Sequence, residues 1–162
     1  MSVAKNRILV SVNPRRIFND ATKVTSSAVS YNQGDLLCLR SNLQQKLATE
    51  SDAATFCGIA DVTVISGHLQ SPYQGLATTS REAANGIPGA VCGVIASLIL
   101  KSGDALTPGC AMYADPSDGP EFVSVSGTKI IGVYQGAAIT GDGVVEVPVL
   151  LGSRHPADTL SF

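Results

Sequence analysis

Residues that can act as nucleophiles, bases or metal ligands are few in this chain and lie far apart. The two histidines are His68, in a segment predicted to turn, and His155, in a polar C-terminal stretch. A serine or cysteine nucleophile needs a base beside it, and no nucleophile motif surrounds either histidine. No serine lies in the G-x-S-x-G pattern of a nucleophile elbow. We therefore predict that the protein is not an enzyme.

Metal and cofactor motifs are also missing from the sequence. A calcium loop that began at Asp115 would place its bidentate glutamate at position 126, where this chain has Ser126. We therefore interpret Asp115–Gly119 as a turn. Lys101 and Lys129 lack the flanking residues of a lipoyl- or biotinyl-bearing lysine. The cysteines occur singly, without a C-x-x-C pair, and we interpret them as reduced, buried small hydrophobic residues: Cys38, Cys57, Cys92 and Cys110. The sequence predicts no metal and no cofactor.

The elements that would position functional side chains are predicted to be short strands. Val144–Leu151 is the clearest, with Val145, Val147, Val149 and Leu151 on one face. It ends a run of strand-like segments and Gly/Asp/Pro turns that begins at Leu100. Other segments carry similar signals: strands over Leu36–Arg40, Ile59–Ile65 and Ala90–Leu100 (bent at Gly93), and helical turns over Ser51–Phe56 and Thr79–Asn85. We predict an all-β fold, a small β-tulip-like barrel or sandwich with one or two short helical turns and an extended N-terminal arm.

Charge divides the chain into two parts. Residues 1–23 hold five of the eleven Lys and Arg residues against one acid, so this segment is +4 and the remainder is −6. Such a distribution indicates a basic tether on an acidic body. We predict an extended arm over 1–30, a barrel-like domain over 31–152 and a tail over 153–162. The arm has few aromatic residues and no long basic run, which argues against direct nucleic-acid binding.

The chain is apolar for its charge. Only 15% of its 162 residues are charged and the mean hydropathy is +0.23. Its longest apolar run, Ile87–Leu100, is too short to span a bilayer and is interrupted by Pro88, Gly89 and Gly93. We predict no membrane association and instead a homo-oligomer that buries apolar surface between subunits. The first 20 residues lack a continuous apolar segment, which predicts synthesis in a cytosol without a signal peptide.

Three stretches of the C-terminal half combine glycine turns, two of them Gly-Asp, with aliphatic strands. They are Leu100–Leu106 (LKSGDAL), Gly127–Val133 (GTKIIGV) and Ala138–Leu150. Gly34-Asp35-Leu36 and Phe56–Asp61 add similar turns earlier in the chain. With these motifs, residues 31–151 resemble a family of small bacteriophage head decoration, or cement, proteins. Residues 66–88 depart from the compact pattern of that family.

The resemblance implies a structural virion protein without catalytic residues. It implies a small all-β domain that forms a homotrimer on the outer surface of the phage head, bridges subunits of the major capsid protein and stabilises the DNA-filled head. Localisation to the virion, after synthesis in the host cytoplasm, follows from the same resemblance. The alternative is another virion module, such as a tail or fibre component that binds a host surface. That alternative predicts exposed aromatic platforms, and the chain has no Trp.

The arm is the segment that we expect to bind the capsid. Ile8, Val10 and Val12 would share one face of a strand that ends at Asn13-Pro14, because Pro14 lacks a donor. Such a strand would add to an exposed sheet edge of the partner. Its basic residues would contact acidic groups on the capsid surface: Lys5, Arg7, Arg15 and Arg16.

Overall fold

A computed structural model gives the fold of residues 4–19, 29–41, 43–65, 68–69, 87–140, 143 and 145–152. These residues are nearly all β, with 54% of them in strands and 5% in helical conformation. They contain eleven strands, in chain order: β1 Ile8–Asn19, β2 Leu36–Arg40, β3 Leu43–Lys46, β4 Phe56–Ala60, β5 Val64–Ile65, β6 His68–Leu69, β7 Ile87–Leu100, β8 Ala111–Ala114, β9 Phe122–Ser124, β10 Ile130–Tyr134 and β11 Val145–Leu151. A 3-10 helix spans Glu50–Thr55.

Five strands close into a barrel. The order β11-β10-β8-β9-β7 is completed by a pairing of β11 with β7, so these five strands, which lie between Ile87 and Leu151, form a closed unit. Every pairing in the barrel is antiparallel except β7 with β9. Side chains of β11 alternate as expected, with Val147, Val149 and Leu151 fully buried. The predicted small all-β barrel is confirmed.

Strand β7 joins this barrel to an outer sheet. Its second half alternates, with Val94, Ala96, Leu98 and Leu100 buried, as expected for a barrel strand with one inward face. In its first half, residues 89–93 are buried at every position, and this half pairs with β4 and β1. Gly93, with φ +71°, lies between the halves and adopts a left-handed conformation that favours glycine. Gly93, where a bend was predicted, is therefore the point at which β7 passes from the outer sheet to the barrel.

The outer sheet consists of β2, β3 and β4 beside β7, and both of its faces are covered. Leu36, Phe56 and Ile59 point into the main core of the barrel. Leu37 and Cys57, at intervening positions, pack into a second core. This second core contains Val29, Tyr31, Leu37, Cys57, Ala60, Val64 and Ala90. Burial on both faces explains why LLCL and FCGIA are continuous apolar runs rather than alternating ones.

Several sequence-based boundaries match and others differ. The strand over Leu36–Arg40 agrees, and the short helical turn predicted at Ser51–Phe56 is the 3-10 helix Glu50–Thr55. The strand predicted over Ile59–Ile65 is instead two strands, β4 and β5, separated by a bend at Asp61-Val62. The helical turn predicted over Thr79–Asn85 and the tail over 153–162 lie outside the described residues.

The predicted arm begins with a strand of the same sheet. Within residues 1–30, β1 pairs antiparallel with β7 along its length, from Ile8 opposite Ala96 to Asn19 opposite Ile87. Val29, which we had placed in the arm, is fully buried in the second core. The described part of the N-terminal segment is thus extended, and it lies against the body rather than apart from it.

Candidate docking surface

Strand β1 is irregular where it crosses the middle of β7. From Ser11 to Arg15 it advances four residues while β7 advances only two, from Val94 to Cys92. The extra residues form a bulge that contains Val12 and Pro14, and such a bulge removes the need for Pro14 to donate to the ladder. Our prediction that Asn13-Pro14 ends the strand is therefore wrong, because the strand resumes beyond the bulge and continues to Asn19.

An exposed apolar segment occupies this part of β1. Leu9, Val10 and Val12 are 58%, 52% and 57% exposed, and the other large exposed hydrophobic residues among those described, Ile65 and Ile130, lie elsewhere. Exposed apolar side chains that follow one another closely in a strand are candidates for a binding site. We call Leu9, Val10 and Val12 the apolar segment below.

Ile8 does not share the surface of the apolar segment. It packs against the main core, whereas Val10 and Val12 are exposed. The expected common face of Ile8, Val10 and Val12 fails because β1 advances two residues from Ile8 to Val10 while β7 advances one, from Ala96 to Ile95. One extra residue reverses the in-and-out alternation of a strand.

Glu146 of β11 fastens the chain just before β1. Its Oε1 accepts hydrogen bonds from Lys5 Nζ at 2.6 Å and from Arg7 Nη1 at 3.2 Å. Its Oε2 accepts one from the Ser97 hydroxyl at 3.2 Å. The hydrogen bond from Lys5 lowers the pKa of Glu146 below its ordinary value, and the nearby Arg7 charge acts in the same direction. Arg7 is buried and also donates to the Ser97 carbonyl at 3.2 Å.

The far end of β1 is fastened by two other residues. Arg16 forms a bidentate ion pair with Asp61, one arm of which measures 2.7 Å. Gln44, fully buried in β3, donates from Nε2 to the Ile17 carbonyl at 3.0 Å and accepts the Ala90 amide at 2.6 Å through Oε1. Sequence reasoning missed Gln44, Asp61 and Glu146, because a single polar residue in a strand carries no motif.

The basic residues proposed for capsid binding are therefore mostly paired within the chain. Lys5 and Arg7 meet at Glu146, and Arg16 is held by Asp61. Arg15 is exposed and forms no ion pair with the described part of the chain. The structure thus places Lys5 and Arg7 at one end of the apolar segment and Arg15 and Arg16 at the other.

A polar cavity of about 320 Å³ lies near the end of the barrel. It is lined by carboxylates, hydroxyls and one ammonium group: Glu50, Lys101, Ser102, Asp104, Asp115, Ser117, Ser124 and Ser126. Lys101 pairs with Asp115 at 2.8 Å, and this hydrogen bond raises the pKa of Lys101. Asp115 also accepts the Ser117 hydroxyl at 2.6 Å, so the Asp115–Gly119 loop contains a self-bonded turn.

The residues first considered for chemistry do not assemble into a site in the described chain. His68 begins strand β6, opposite Ile65, and His155 lies outside the described residues. All four cysteines carry thiol groups; Cys38, Cys57 and Cys92 are buried, and burial raises the pKa of the Cys38 thiol. Among the residues described, no three His, Cys, Asp or Glu side chains are grouped so that they could hold a metal ion.

Comparison with known proteins adds no assignment. Within the described ranges, no helix is both long and apolar enough to cross a membrane. No family model, curated protein or solved structure matches this chain.

Proposed function

We propose that this protein is a structural virion component, a decoration protein that binds the outer surface of a phage head and stabilises it by bridging major capsid protein subunits. The observation that carries the proposal is the apolar segment of β1, three exposed hydrophobic residues on a strand that is paired with β7 and fastened at both ends. The motif resemblance of residues 31–151 to head decoration proteins supports the same choice. Chemistry of its own is not required for this function.

The docking contact that we propose is made by side chains. Bulges in β1 interrupt its ladder, and such irregularity discourages the addition of another strand to an edge. The apolar segment would instead insert Leu9, Val10 and Val12 into an apolar groove of the capsid protein. Arg15, exposed and without an ion pair in the described chain, would contribute charge at the rim, where charge mainly affects the association rate.

The test compares two sets of surface substitutions on mature heads. Leu9→Ser, Val10→Thr and Val12→Thr together remove the apolar segment, while Ile65→Thr with Ile130→Thr remove exposed hydrophobic residues elsewhere. We expect the first variant to bind heads about a hundredfold more weakly, because the three lost apolar contacts each contribute about 1 kcal/mol. The second variant should bind like the wild type. Equal binding by all three proteins would contradict the proposed contact.

We also propose that the protein acts as a homotrimer. Its low charge and positive mean hydropathy favour burial of surface between copies, and several linked copies raise the effective concentration of each weak contact. Light scattering on the purified protein measures the mass directly, and a stable monomer at micromolar concentration would contradict this part. Immunogold electron microscopy of virions tests the location on the outer head surface.

A tail or fibre module that binds a host glycan is the alternative, and the polar cavity is the observation that favours it. Carboxylates, serine hydroxyls and Lys101 offer acceptors and donors to a sugar. None of the lining residues is aromatic, so the cavity offers no ring on which a sugar could stack. Saturation-transfer NMR with a set of monosaccharides decides between the two, since only the alternative predicts transfer.

A further inference from the structure

The carboxylate of Glu146 joins parts of the chain that are distant in sequence. Lys5 and Arg7 come from residues 4–11, which are called the N-terminal segment below. Ser97 comes from β7 and Glu146 itself from β11. Lys5 and Glu146 are both about half exposed, so solvent and salt reach the contact, whereas Arg7 is buried. One accessible carboxylate therefore holds a partly buried strand end in place.

The backbone shows where this N-terminal segment stops and the barrel begins. The Ser97 amide donates to the Arg7 carbonyl at 2.7 Å, and the Ile99 amide donates to the Glu121 carbonyl at 3.1 Å. Alternate amides of a strand point to the same side, so the N-terminal segment and β9 lie one after the other along one edge of β7. Exchange of the Ser97 amide therefore reports on pairing with the N-terminal segment, and exchange of the Ile99 amide reports on pairing within the barrel.

The N-terminal segment has few regular contacts beyond this point. Two shifts of register follow its first pairs with β7, and its apolar segment is exposed. The Lys5 amide donates to the carbonyl of Gln33, in the turn before β2, at 2.9 Å. A segment with an interrupted ladder and exposed side chains belongs to the low-stability part of a fold.

We propose that Glu146 is a latch that holds residues 4–11 against β7, and that loss of its charge detaches this segment while the five-stranded barrel stays folded. Detachment frees Arg7 and Ile8 together with Leu9 and Val10, which converts a packed strand end into a mobile docking arm. The consequence for capsid binding rests on the proposed function. The latch itself does not.

The direction of the pH effect follows from the groups that face Glu146. These are the Lys5 ammonium, the Arg7 guanidinium and the Ser97 hydroxyl, and the Lys5 hydrogen bond lowers the pKa of Glu146. A carboxyl group whose pKa is depressed by folding stabilises the folded arrangement above its ordinary pKa and loses this contribution as the pH falls through the depressed value. The latch is therefore closed at neutral pH and opens as the pH falls through the depressed pKa of Glu146, which lies below the ordinary value of a glutamate.

Amide hydrogen exchange measured by NMR on the full-length protein tests the latch. We expect the protection factor of Ser97 to fall about threefold to fivefold between pH 6 and pH 3, while that of Ile99 is unchanged. Glu146→Gln should give the low Ser97 protection already at pH 6, with no further loss in acid. Asp115→Asn breaks the Lys101 ion pair, of similar length, and should leave Ser97 protected.

Two results would overturn the latch. One is Ser97 protection in Glu146→Gln equal to that of the wild type; the other is a parallel loss at Ser97 and Ile99, which would mean that the barrel opens with the segment. Should Glu146→Gln fail to fold, Lys5→Gln provides the same comparison, because it removes the shortest of the hydrogen bonds to this carboxylate. If the segment detaches in acid but the protein does not bind phage heads, the result would contradict the proposed function and leave the latch intact.

Discussion

Strands β1 and β11 both pair antiparallel with β7, yet they are held in different ways. β11 makes six consecutive pairs without a shift, from Val145 opposite Leu100 to Leu150 opposite Ile95. β1 makes seven pairs interrupted by three shifts of register. Side chains of β11 alternate into the core, whereas Leu9, Val10 and Val12 of β1 are exposed.

Within one sheet, β11 therefore serves as scaffold, whereas β1 holds exposed side chains at the surface. Burial of apolar side chains holds β11, and this is the dominant favourable term in folding. Polar contacts at the ends hold β1, through Glu146, Asp61 and Gln44. A strand fastened at its ends can leave its middle exposed, which is what a binding segment requires.

The same truncation in the two strands should have very different effects. Leu151→Ala in β11 opens a cavity at a fully buried site, and we expect the free energy of unfolding to fall by about 2–5 kcal/mol. Leu9→Ala in β1 removes an exposed side chain and should change it by less than about 0.5 kcal/mol. Urea denaturation measures both, and similar losses would end the distinction between the strands.

Two glycines with nearly equal φ angles test how closely the N-terminal segment packs. Gly34 has φ +97° and Gly103 has φ +95°, but a Cβ on Gly34 would lie 2.6 Å from the Lys5 carbonyl oxygen while one on Gly103 meets nothing within 4 Å. We expect Gly34→Ala to cost about 2–4 kcal/mol and Gly103→Ala about 1 kcal/mol. Thermal denaturation compares them, and equal losses would show that the N-terminal segment yields freely.

Arg7 and Lys5 share Glu146 but differ in burial. Arg7→Met removes a buried guanidinium and leaves the Ser97 carbonyl without that donor, so we expect local opening at Ser97 to become easier by about 1–3 kcal/mol. Lys5→Met removes a half-exposed partner and should change it by less than about 1 kcal/mol. Exchange of the Ser97 amide measures both, and a larger effect of Lys5 would contradict this ranking.

The smallest expected effect is the contribution of Glu146 to acid stability. Because Lys5 lowers the pKa of Glu146, wild-type stability should fall as the pH drops through the depressed value. Glu146→Gln should lose less stability between pH 5 and pH 3 than the wild type, by under about 1 kcal/mol for an exposed pair. Denaturation midpoints across this range give the comparison, and identical pH profiles would contradict it.

The regular half of the fold was predictable from sequence and the irregular half was not. Val145, Val147 and Val149 share one face because strand alternation is a local property, and β2 was predictable because an apolar run follows a Gly-Asp turn. The bulge around Pro14 depends on how many residues of β7 lie opposite, which only the long-range pairing fixes. Gln44 lies in a run of good helix formers, yet β3 is a strand because β2 supplies its hydrogen bonds.

The candidate site divides in a similar way. The sequence placed exposed apolar and basic residues in the N-terminal segment, and both kinds are present there. It could not show that Lys5 and Arg7 lie against Glu146, a residue 139 positions after Arg7. Charge balance over a segment indicates a surplus but does not locate the acid that neutralises it.

The pairing of β1 with β7 also has a consequence for synthesis. Arg7 and Ser97, which share a hydrogen bond, are 90 residues apart. At translation rates of about 5–20 residues per second, β1 leaves the ribosome roughly 5–20 seconds before its partner. During that interval Leu9, Val10 and Val12 belong to an unpaired strand with no lysine among them. Pro14, which cannot donate a hydrogen bond to a ladder, helps to keep this segment of the nascent chain from pairing with other chains.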